Sequence, residues 1–295
     1  MSKHQIHQAT KIPDFLVIAN KRCGSTWLNR NLVEHPEIFM TSNDGNVIKG
    51  VHFFDKHYDK GVQLYAEFFK DVSNEKRLGE TEHSYFWNDL VPERINKTLG
   101  AVPLIMSLRQ PVERAYSHFQ LRRRYLPKGN ISYDFETAFR TAMKEGSSEV
   151  TWGYYGRQLK KYLEWFPLKT FCIIKYEQIV DKPAETIHQV YRFLDVNPDF
   201  TSSCITATRT PATNVPDGTC NLANKIWYSS RPTIFIRRCF RRMGFKNIGL
   251  YRRFSPPPLE MPLKKKLTAE FFDTDIKLLI KLTGMDFNSW LSESM

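Results

Sequence analysis

The fold is indicated first by the stretch FLVIANKRCGSTW, which covers residues 15–27. Its apolar run, Phe15–Ala19, is short, continuous and followed by a polar turn with Gly24, which is typical of a buried parallel strand. Ser25 or Thr26 can then cap a helix. A strand, a tight turn and a helix in this order predict an anion cradle, because backbone amides and the positive helix end point into the turn.

This turn does not have the sequence of an ordinary nucleotide-binding P-loop. It lacks the pattern G-x-x-x-x-G-K-[ST], so an ATP or GTP site of that kind is disfavoured. Arg22 adds a fixed positive charge beside Gly24. On residue types alone, an anion site and a purely structural strand–turn–helix remain equally open at this point.

A second candidate site lies in the sequence PLIMSLRQPVERAYSHF, residues 103–119. We expect Arg109 to end a buried strand and Ser117 to lie on a helix that runs from about Val112 to Tyr125. Parallel sheets bind ligands at the carboxyl ends of their strands, so Arg109 is placed to contact one. The alternative is an Arg109 that caps carbonyl groups or pairs with Glu113.

The remaining pattern alternates strands with helices. Further strands are predicted at Val102–Leu108 and Thr170–Ile174, and helices at Pro183–Leu194 and Leu263–Leu282. The alternation predicts the α/β class, as a single domain with a central, mainly parallel sheet flanked by helices and a P-loop-like turn. We expect this domain to span residues 13–292, after a disordered segment at residues 1–12.

Composition narrows the class of protein. The chain has 295 residues, is 41% apolar and carries a formal net charge of +12, which favours an anionic cofactor, substrate, polyanion or membrane surface. Its five cysteines are scattered without C-x-x-C spacing, so a disulfide framework or zinc knuckle is not expected. The sequence contains no apolar run of about 20 residues and no secretory signal, so we expect a cytoplasmic protein.

Taken together, the two candidate sites resemble the sulfotransferase family that uses 3′-phosphoadenosine 5′-phosphosulfate (PAPS). The family pattern joins a strand–R-x-G-[ST]-T-W turn to a later strand–L-R-x-P-x-x-R-A-x-S segment, and both are present here. Four further segments are similar to family motifs in the same order: VHFFD at 51–55, GE at 79–80 before SY at 84–85, KYEQI at 175–179 before FL at 193–194, and LTGMDFNSW at 282–290.

The resemblance implies which residues bind PAPS. The phosphosulfate loop would consist of Arg22, Cys23, Gly24, Ser25, Thr26 and Trp27. Arg109 and Ser117 would hold the 3′-phosphate, and Tyr176 would lie near the adenine. Two separated phosphate groups need two cradles, and the planar fork of arginine suits both. Arg22 would also act in catalysis, and no metal is implied.

The resemblance leaves the general base open. Glycan sulfotransferases commonly have a glutamate two residues before the histidine of HFF, where this chain has Gly50. We therefore predict His52 as the base, since imidazole suits proton transfer near neutral pH, with Glu80 as the second candidate. A packed structural histidine is the alternative. Thr81 stands where some heparan-type members have a lysine, which argues against a heparan-like assignment, and His83 faces the substrate at most.

The acceptor is not specified by any motif. A glycan, a lipid or a small metabolite fits the family, and no nucleic acid is expected as a partner. The basic stretch 225–253, with nine Lys or Arg residues and no acid, is predicted to be a solvated face, with peripheral membrane contact as the minority interpretation. The alternative functions are a basic nucleic-acid-binding protein or a nucleotide-dependent kinase.

Overall fold

A computed structural model describes residues 11–18, 20–43, 46–47, 50–125, 134–206 and 258–294. The described part contains seven strands: β1 (Phe15–Val17), β2 (Ile38–Met40), β3 (Ser42–Asn43), β4 (Asn46–Val47), β5 (Arg77–Thr81), β6 (Leu104–Leu108) and β7 (Phe171–Lys175). It contains eleven α-helices: α1 (Ser25–Glu34), α2 (Val62–Ala66), α3 (Val91–Leu99), α4 (Pro111–Tyr125), α5 (Phe135–Lys144), α6 (Ser148–Thr151), α7 (Tyr155–Leu163), α8 (Tyr176–Asp181), α9 (Pro183–Phe193), α10 (Met261–Phe271) and α11 (Asp273–Thr283).

Five of the strands form one parallel sheet in the order β2-β5-β1-β6-β7, while β3 and β4 form a separate antiparallel ribbon. After the central strand β1, the chain forms β2 at one edge of the sheet and then β5 between β2 and β1. It then crosses to the other side of β1 and forms β6. Parallel sheets bind ligands where the strand order reverses in this way. The residues after β1, β5 and β6 therefore share one edge of the sheet.

The two faces of β1 explain why the sheet is buried on both sides. Phe15 and Val17 pack in one core cluster with Trp27 and Leu28 of α1, whereas Leu16 and Ile18 pack in the other. Successive side chains of a strand point to opposite faces, so an uninterrupted apolar run fills both layers. The predicted α/β class with a central parallel sheet is confirmed.

Some predicted boundaries differ from the structure. The first helix has Gly24 rather than Ser25 or Thr26 as its N-cap, because Gly24 adopts the left-handed conformation that ends the turn. The single helix predicted over residues 263–282 is two helices, α10 and α11, which meet at Phe272. Residues 1–10 and the basic stretch 225–253 lie outside the described residues, and the domain limits 13–292 stay a prediction.

Side chains of the two C-terminal helices, α10 and α11, contact the residues that follow β6 and the start of α7. Lys264 donates to the carboxylate of Glu113 over 2.6 Å, and Gln110 donates to the hydroxyl of Thr268 over 2.8 Å. The carboxylate of Asp275 accepts the first backbone amides of α7, from Gly156 at 2.8 Å and Arg157 at 2.9 Å. An acceptor from α11 thus satisfies amides that a helix cannot pair internally. No helix among the described ranges is long and apolar enough to cross a membrane.

Candidate active site

The turn after β1 has the geometry of an anion cradle. Gly24 has φ 89°, and helical hydrogen bonding begins with the amide of Leu28, which donates to the Gly24 carbonyl over 3.1 Å. The amides of the turn preceding Leu28 have no acceptor inside the helix, and they lie at the positive end of its dipole. Side chains of Tyr176 and Ile179 pack where a Cβ at position 24 would be, so only glycine fits.

The cradle is fixed to the rest of the sheet edge by Asn20. Its buried side-chain amide donates to the Trp152 carbonyl over 2.9 Å, and its side-chain oxygen accepts from the indole of Trp87 at 3.2 Å. The indole rings of Trp87 and Trp152 stack on each other with centroids 5.7 Å apart. The turn is therefore held by rigid neighbours, which positions its amides before any ligand arrives.

Arg22 connects the two sequence motifs. Its side chain is exposed, and its Nε donates to the hydroxyl of Ser117 on α4 over 3.0 Å, across 95 residues of sequence. Both residues were predicted to bind opposite ends of one ligand. The structure brings them into direct contact at the sheet edge.

Arg109 follows β6 and lies over the aromatic ring of Tyr176, with its guanidinium carbon 4.5 Å from the ring centroid. Its side chain is 19% exposed and pairs with Glu113 over 3.2 Å. The predicted alternative, a pair with Glu113, is therefore present. Its Nε is buried and has no hydrogen-bond partner among the described residues, so the guanidinium keeps one donor for a further acceptor.

Four residues of the predicted loop have different surroundings. The hydroxyl of Ser25 lies 2.8 Å from Nε2 of His83, and Thr26 is half-buried at the start of α1. The side chain of Trp27 is in the core, where its indole donates to the Ile205 carbonyl over 2.9 Å. Burial raises the pKa of the Cys23 thiol to about 12, so this thiol is protonated at neutral pH and acts as a small buried side chain.

The electrostatics of the site favour an anion. His118 follows Ser117 on α4, and its pKa is lowered to about 4 by burial and by the neighbouring cations Arg114, Arg22 and Lys21. Burial is the largest cause of this lowered pKa and the three cations add to it, so positive charge is concentrated at this place. Arg114 itself is fully buried and donates to the carbonyl of Glu149 over 2.6 Å, which makes it a structural residue.

His52 lies at a second cluster, beside the end of β5. It has φ 56°, its side chain is 31% exposed, and its Nδ1 is 3.1 Å from the Asp55 carboxylate. The carboxylate of Glu82 is 3.4 Å from the same nitrogen, and the hydroxyl of Ser84 is at 3.4 Å as well. The predicted base is therefore exposed on one side and surrounded by acidic groups on the other.

Glu80 is in a different environment from His52. Its side chain is fully buried, and burial raises the pKa of this carboxyl to about 8, while the hydroxyls of Tyr85 and Tyr65 oppose the rise. A carboxyl with these surroundings is protonated at neutral pH and does not contact solvent. Its position is that of a core residue behind the cluster of His52.

The sequence analysis did not single out Glu82, Asp55 or His118. Both acids lie within or next to motifs that it did quote: VHFFD ends at Asp55, and one residue separates GE from Glu82. The signal that could have found them is acid spacing: each carboxylate is within three residues of a candidate base. His83 was noted as substrate-facing, and the structure places it against Ser25.

Comparison with known proteins identifies the family of this chain. A family model described as a sulfotransferase domain matches residues 12–213. The chain belongs to the sulfotransferase family. The resemblance expected from the motifs is thereby confirmed, and neither a kinase nor a nucleic-acid-binding protein is favoured.

Individual sulfotransferases show how far the similarity extends. The chain is 28% identical over 298 residues to the human bifunctional heparan sulfate N-deacetylase/N-sulfotransferase 3, covering 97% of this chain and 32% of that protein. It is 27% identical over 210 residues to the mouse heparan sulfate glucosamine 3-O-sulfotransferase 5, covering 67% of this chain and 58% of that protein. The chain thus spans about a third of the first relative and more than half of the second.

A solved structure supports the fold of this sulfotransferase. The sulfotransferase from Alicyclobacillus acidocaldarius superposes with a TM-score of 0.63 over 94% of this chain and 98% of its own, at 19% sequence identity. The similarity covers nearly the whole of both chains. The shared feature is therefore the fold.

The family uses PAPS as its sulfuryl donor, and the residues at this edge fit that molecule. The positive end of α1 and the partnerless Nε of Arg109 offer hydrogen-bond donors at two places on this edge, as a ligand with two phosphate groups requires. Among the described residues, no group of three or more His, Cys, Asp or Glu side chains could hold a metal ion.

Proposed function

We propose that this chain transfers a sulfuryl group from PAPS to a hydroxyl or an amine of a glycan. The observation that carries the proposal is the hydrogen bond between Arg22 and Ser117, which joins the cradle at α1 to the helix that follows Arg109. Two cationic anion-binding elements, each at the carboxyl end of a central parallel strand, form one continuous edge. Their combination suits a donor with two separated phosphate groups.

The proposed donor site divides between the two elements. Backbone amides of the cradle, with the hydroxyls of Ser25 and Thr26, would hold the 5′-phosphosulfate. Arg109 and Ser117 would hold the 3′-phosphate, and the ring of Tyr176 would lie near the adenine. Cys23 and Trp27 would contribute through their backbone alone, since both side chains are buried.

The proposed chemistry is an in-line transfer. The donor, when bound, supplies a sulfur atom whose bond to the bridging phosphate oxygen breaks as the acceptor oxygen or nitrogen bonds to it. Arg22 would stabilise the negative charge that develops on that phosphate oxygen, exchanging its bond to Ser117 for one to the substrate. His52 would accept the proton that the acceptor loses, because it is the exposed member of its cluster.

The acceptor is proposed from the two relatives whose names state their substrates. One acts on heparan sulfate as an N-sulfotransferase and the other is a heparan sulfate glucosamine 3-O-sulfotransferase. A glycan that contains an amino sugar is therefore the first acceptor to test. Thr81, which stands where some heparan-type members have a lysine, donates its hydroxyl to Asn29 inside the core over 2.7 Å, and the absent lysine argues for testing other glycans beside heparan sulfate.

The proposal is tested by binding and transfer. We expect 3′-phosphoadenosine 5′-phosphate to raise the melting temperature of the protein, whereas ATP and oligonucleotides do not, because a ligand stabilises the native state only where it binds. Radiolabelled PAPS should then label N-desulfated and unsulfated heparan-type chains. Stabilisation by oligonucleotides alone, with no label transfer to any glycan, would refute the proposal.

A further inference from the structure

Gly50 leaves a space that another side chain occupies. Its φ is 91°, and a Cβ built on it would lie 2.6 Å from Oε2 of Glu82 and 3.1 Å from Nε2 of His52. No side chain at position 50 could coexist with both groups in their present places. Because residue 50 has no side chain, the Glu82 carboxylate can lie beside His52.

Backbone hydrogen bonds to the sheet place Glu82 beside this space. Its amide donates to the Val17 carbonyl over 3.0 Å, and the amide of Gly50 donates to the Thr81 carbonyl over 3.0 Å. These bonds fix the backbone on both sides of the space. The Glu82 side chain is only 3% exposed, so its position is set by packing rather than by solvent.

The two oxygens of the Glu82 carboxylate have different surroundings. Oε1 accepts from the amide of Ser84 at 2.9 Å and from its hydroxyl at 2.6 Å. Oε2 is buried and has no hydrogen-bond partner among the described residues, and the nearest basic group is Nδ1 of His52 at 3.4 Å. A buried carboxylate oxygen without a donor is costly, and a protonated imidazole beside it would offset that cost.

Two further charged groups lie against His52, and they act in opposite directions on its protonated form. Asp55 lies 3.1 Å from Nδ1, and Lys56 lies 3.4 Å from Nε2. The carboxyl of Glu80, whose pKa is raised to about 8 by burial, and the hydroxyl of Tyr85 lie behind Glu82. The carboxylates of Asp55 and Glu82 thus face Nδ1 of His52, and the ammonium group of Lys56 lies against Nε2, so Lys56 has to move aside before Nε2 accepts a proton.

We propose that Glu82 is a positioning residue for sulfuryl transfer, whose carboxylate enters the space left by Gly50 and, with Asp55, orients His52 and stabilises its protonated form. The inference rests on the proposed function, since it concerns the proton released by the acceptor. Nδ1 keeps its hydrogen toward the carboxylates, which leaves Nε2 to accept that proton. Glu82 exchanges no proton with the acceptor and does not touch it.

The experiment compares Glu82→Ala with Asp59→Ala, which removes the same charge from an exposed residue of the neighbouring turn. We expect Glu82→Ala to lower kcat by about 10- to 100-fold, a part of the 10²–10⁴ that a general base contributes, with an unchanged Kd for 3′-phosphoadenosine 5′-phosphate. The NMR titration midpoint of His52 should move about one pH unit lower, since a nearby negative charge is lost. Asp59→Ala should change neither quantity.

A double-mutant cycle tests the role of Gly50. Gly50→Ala should displace the Glu82 carboxylate and lower kcat, and it should lower kcat by a smaller factor when Glu82 is already alanine, because the contact with His52 and the strained φ remain but the contact with Glu82 is gone. Additive effects, or an unmoved His52 midpoint in Glu82→Ala, would overturn the inference. If the NMR midpoint moves as expected but the wild-type protein neither binds the nucleotide nor transfers sulfate, the proposed function fails while the orientation of His52 by Glu82 stands.

Discussion

Replacement of Arg109 by alanine should weaken binding of 3′-phosphoadenosine 5′-phosphate without unfolding the protein. The guanidinium is half-buried, stacks on Tyr176 at 4.5 Å and retains a buried Nε without a partner. Its loss removes at least one charge-assisted hydrogen bond to a phosphate, which contributes about 1.5–3 kcal/mol. At about 1.4 kcal/mol for each factor of ten, the Kd should rise by about 10- to 150-fold.

The fold should tolerate this change because the partner of Arg109 keeps another cation. Glu113 accepts from Lys264 at 2.6 Å as well as from Arg109, so its carboxylate is not left buried and unpaired. The hydrogen bond from Tyr155 to residue 109 uses the backbone carbonyl and survives the substitution. The melting temperature should therefore change little.

Calorimetric titration of the nucleotide measures the effect, with Arg157→Ala as a matched control. Arg157 also stacks on a tyrosine, at 4.3 Å from the Tyr154 ring, and also lies near a carboxylate, that of Asp275. Arg109→Lys should give an intermediate Kd, since lysine keeps the charge but not the planar fork. An unchanged Kd in Arg109→Ala would remove Arg109 from the nucleotide site.

Three further outcomes are expected. Arg22→Ala should lower kcat more than it raises the KM for PAPS, because charge on the leaving oxygen develops only in the transition state; steady-state kinetics that show an effect on KM alone would contradict this. Glu80→Gln should have the same free energy of unfolding as the wild type near pH 4.5 and a higher one as the pH rises to 8. The reason is that burial raises the pKa of Glu80 to about 8, so between these pH values the unfolded chain has lost a proton that the folded chain retains. The stability of the wild type therefore falls as the pH rises. Urea unfolding at both pH values measures it, and parallel curves for the two proteins would refute it. Asp275→Ala should cost about 1–3 kcal/mol of unfolding free energy, since it leaves two backbone amides of α7 without an acceptor. Asp199→Ala, at an exposed aspartate, should cost much less, and equal values would show that this cap contributes nothing.

The sequence predicted the strands that are apolar throughout. The predicted strands cover all of β1 and β6 and all of β7 except Lys175, because continuous apolar runs between turns indicate strands that are buried on both faces. β2 and β5 were missed. β5 has the sequence RLGET, and its Gly79 packs against the ring of Phe15, with a Cβ position 2.2 Å from the Phe15 Cζ, so close packing rather than apolar content holds this strand.

The sequence predicted the backbone positions of the candidate site but not its side-chain contacts. Motif order placed the cradle and Arg109 at strand ends, and parallel strands bring those ends together. The contact between Arg22 and Ser117 was not predictable, because it depends on the side-chain directions of two segments 95 residues apart. Glu82 was missed because it directly follows β5, a strand that the pattern did not show.

The contacts of α10 and α11 have a consequence for making shorter versions of this protein. The family match ends at residue 213, yet Lys264, Thr268 and Asp275 supply partners to Glu113, Gln110 and the start of α7. A fragment cut at the end of the match would leave those groups exposed or unpaired and should be poorly soluble when expressed alone. Co-expression of a second fragment that begins near residue 258 should recover it, since the two pieces would reassemble through the same interface.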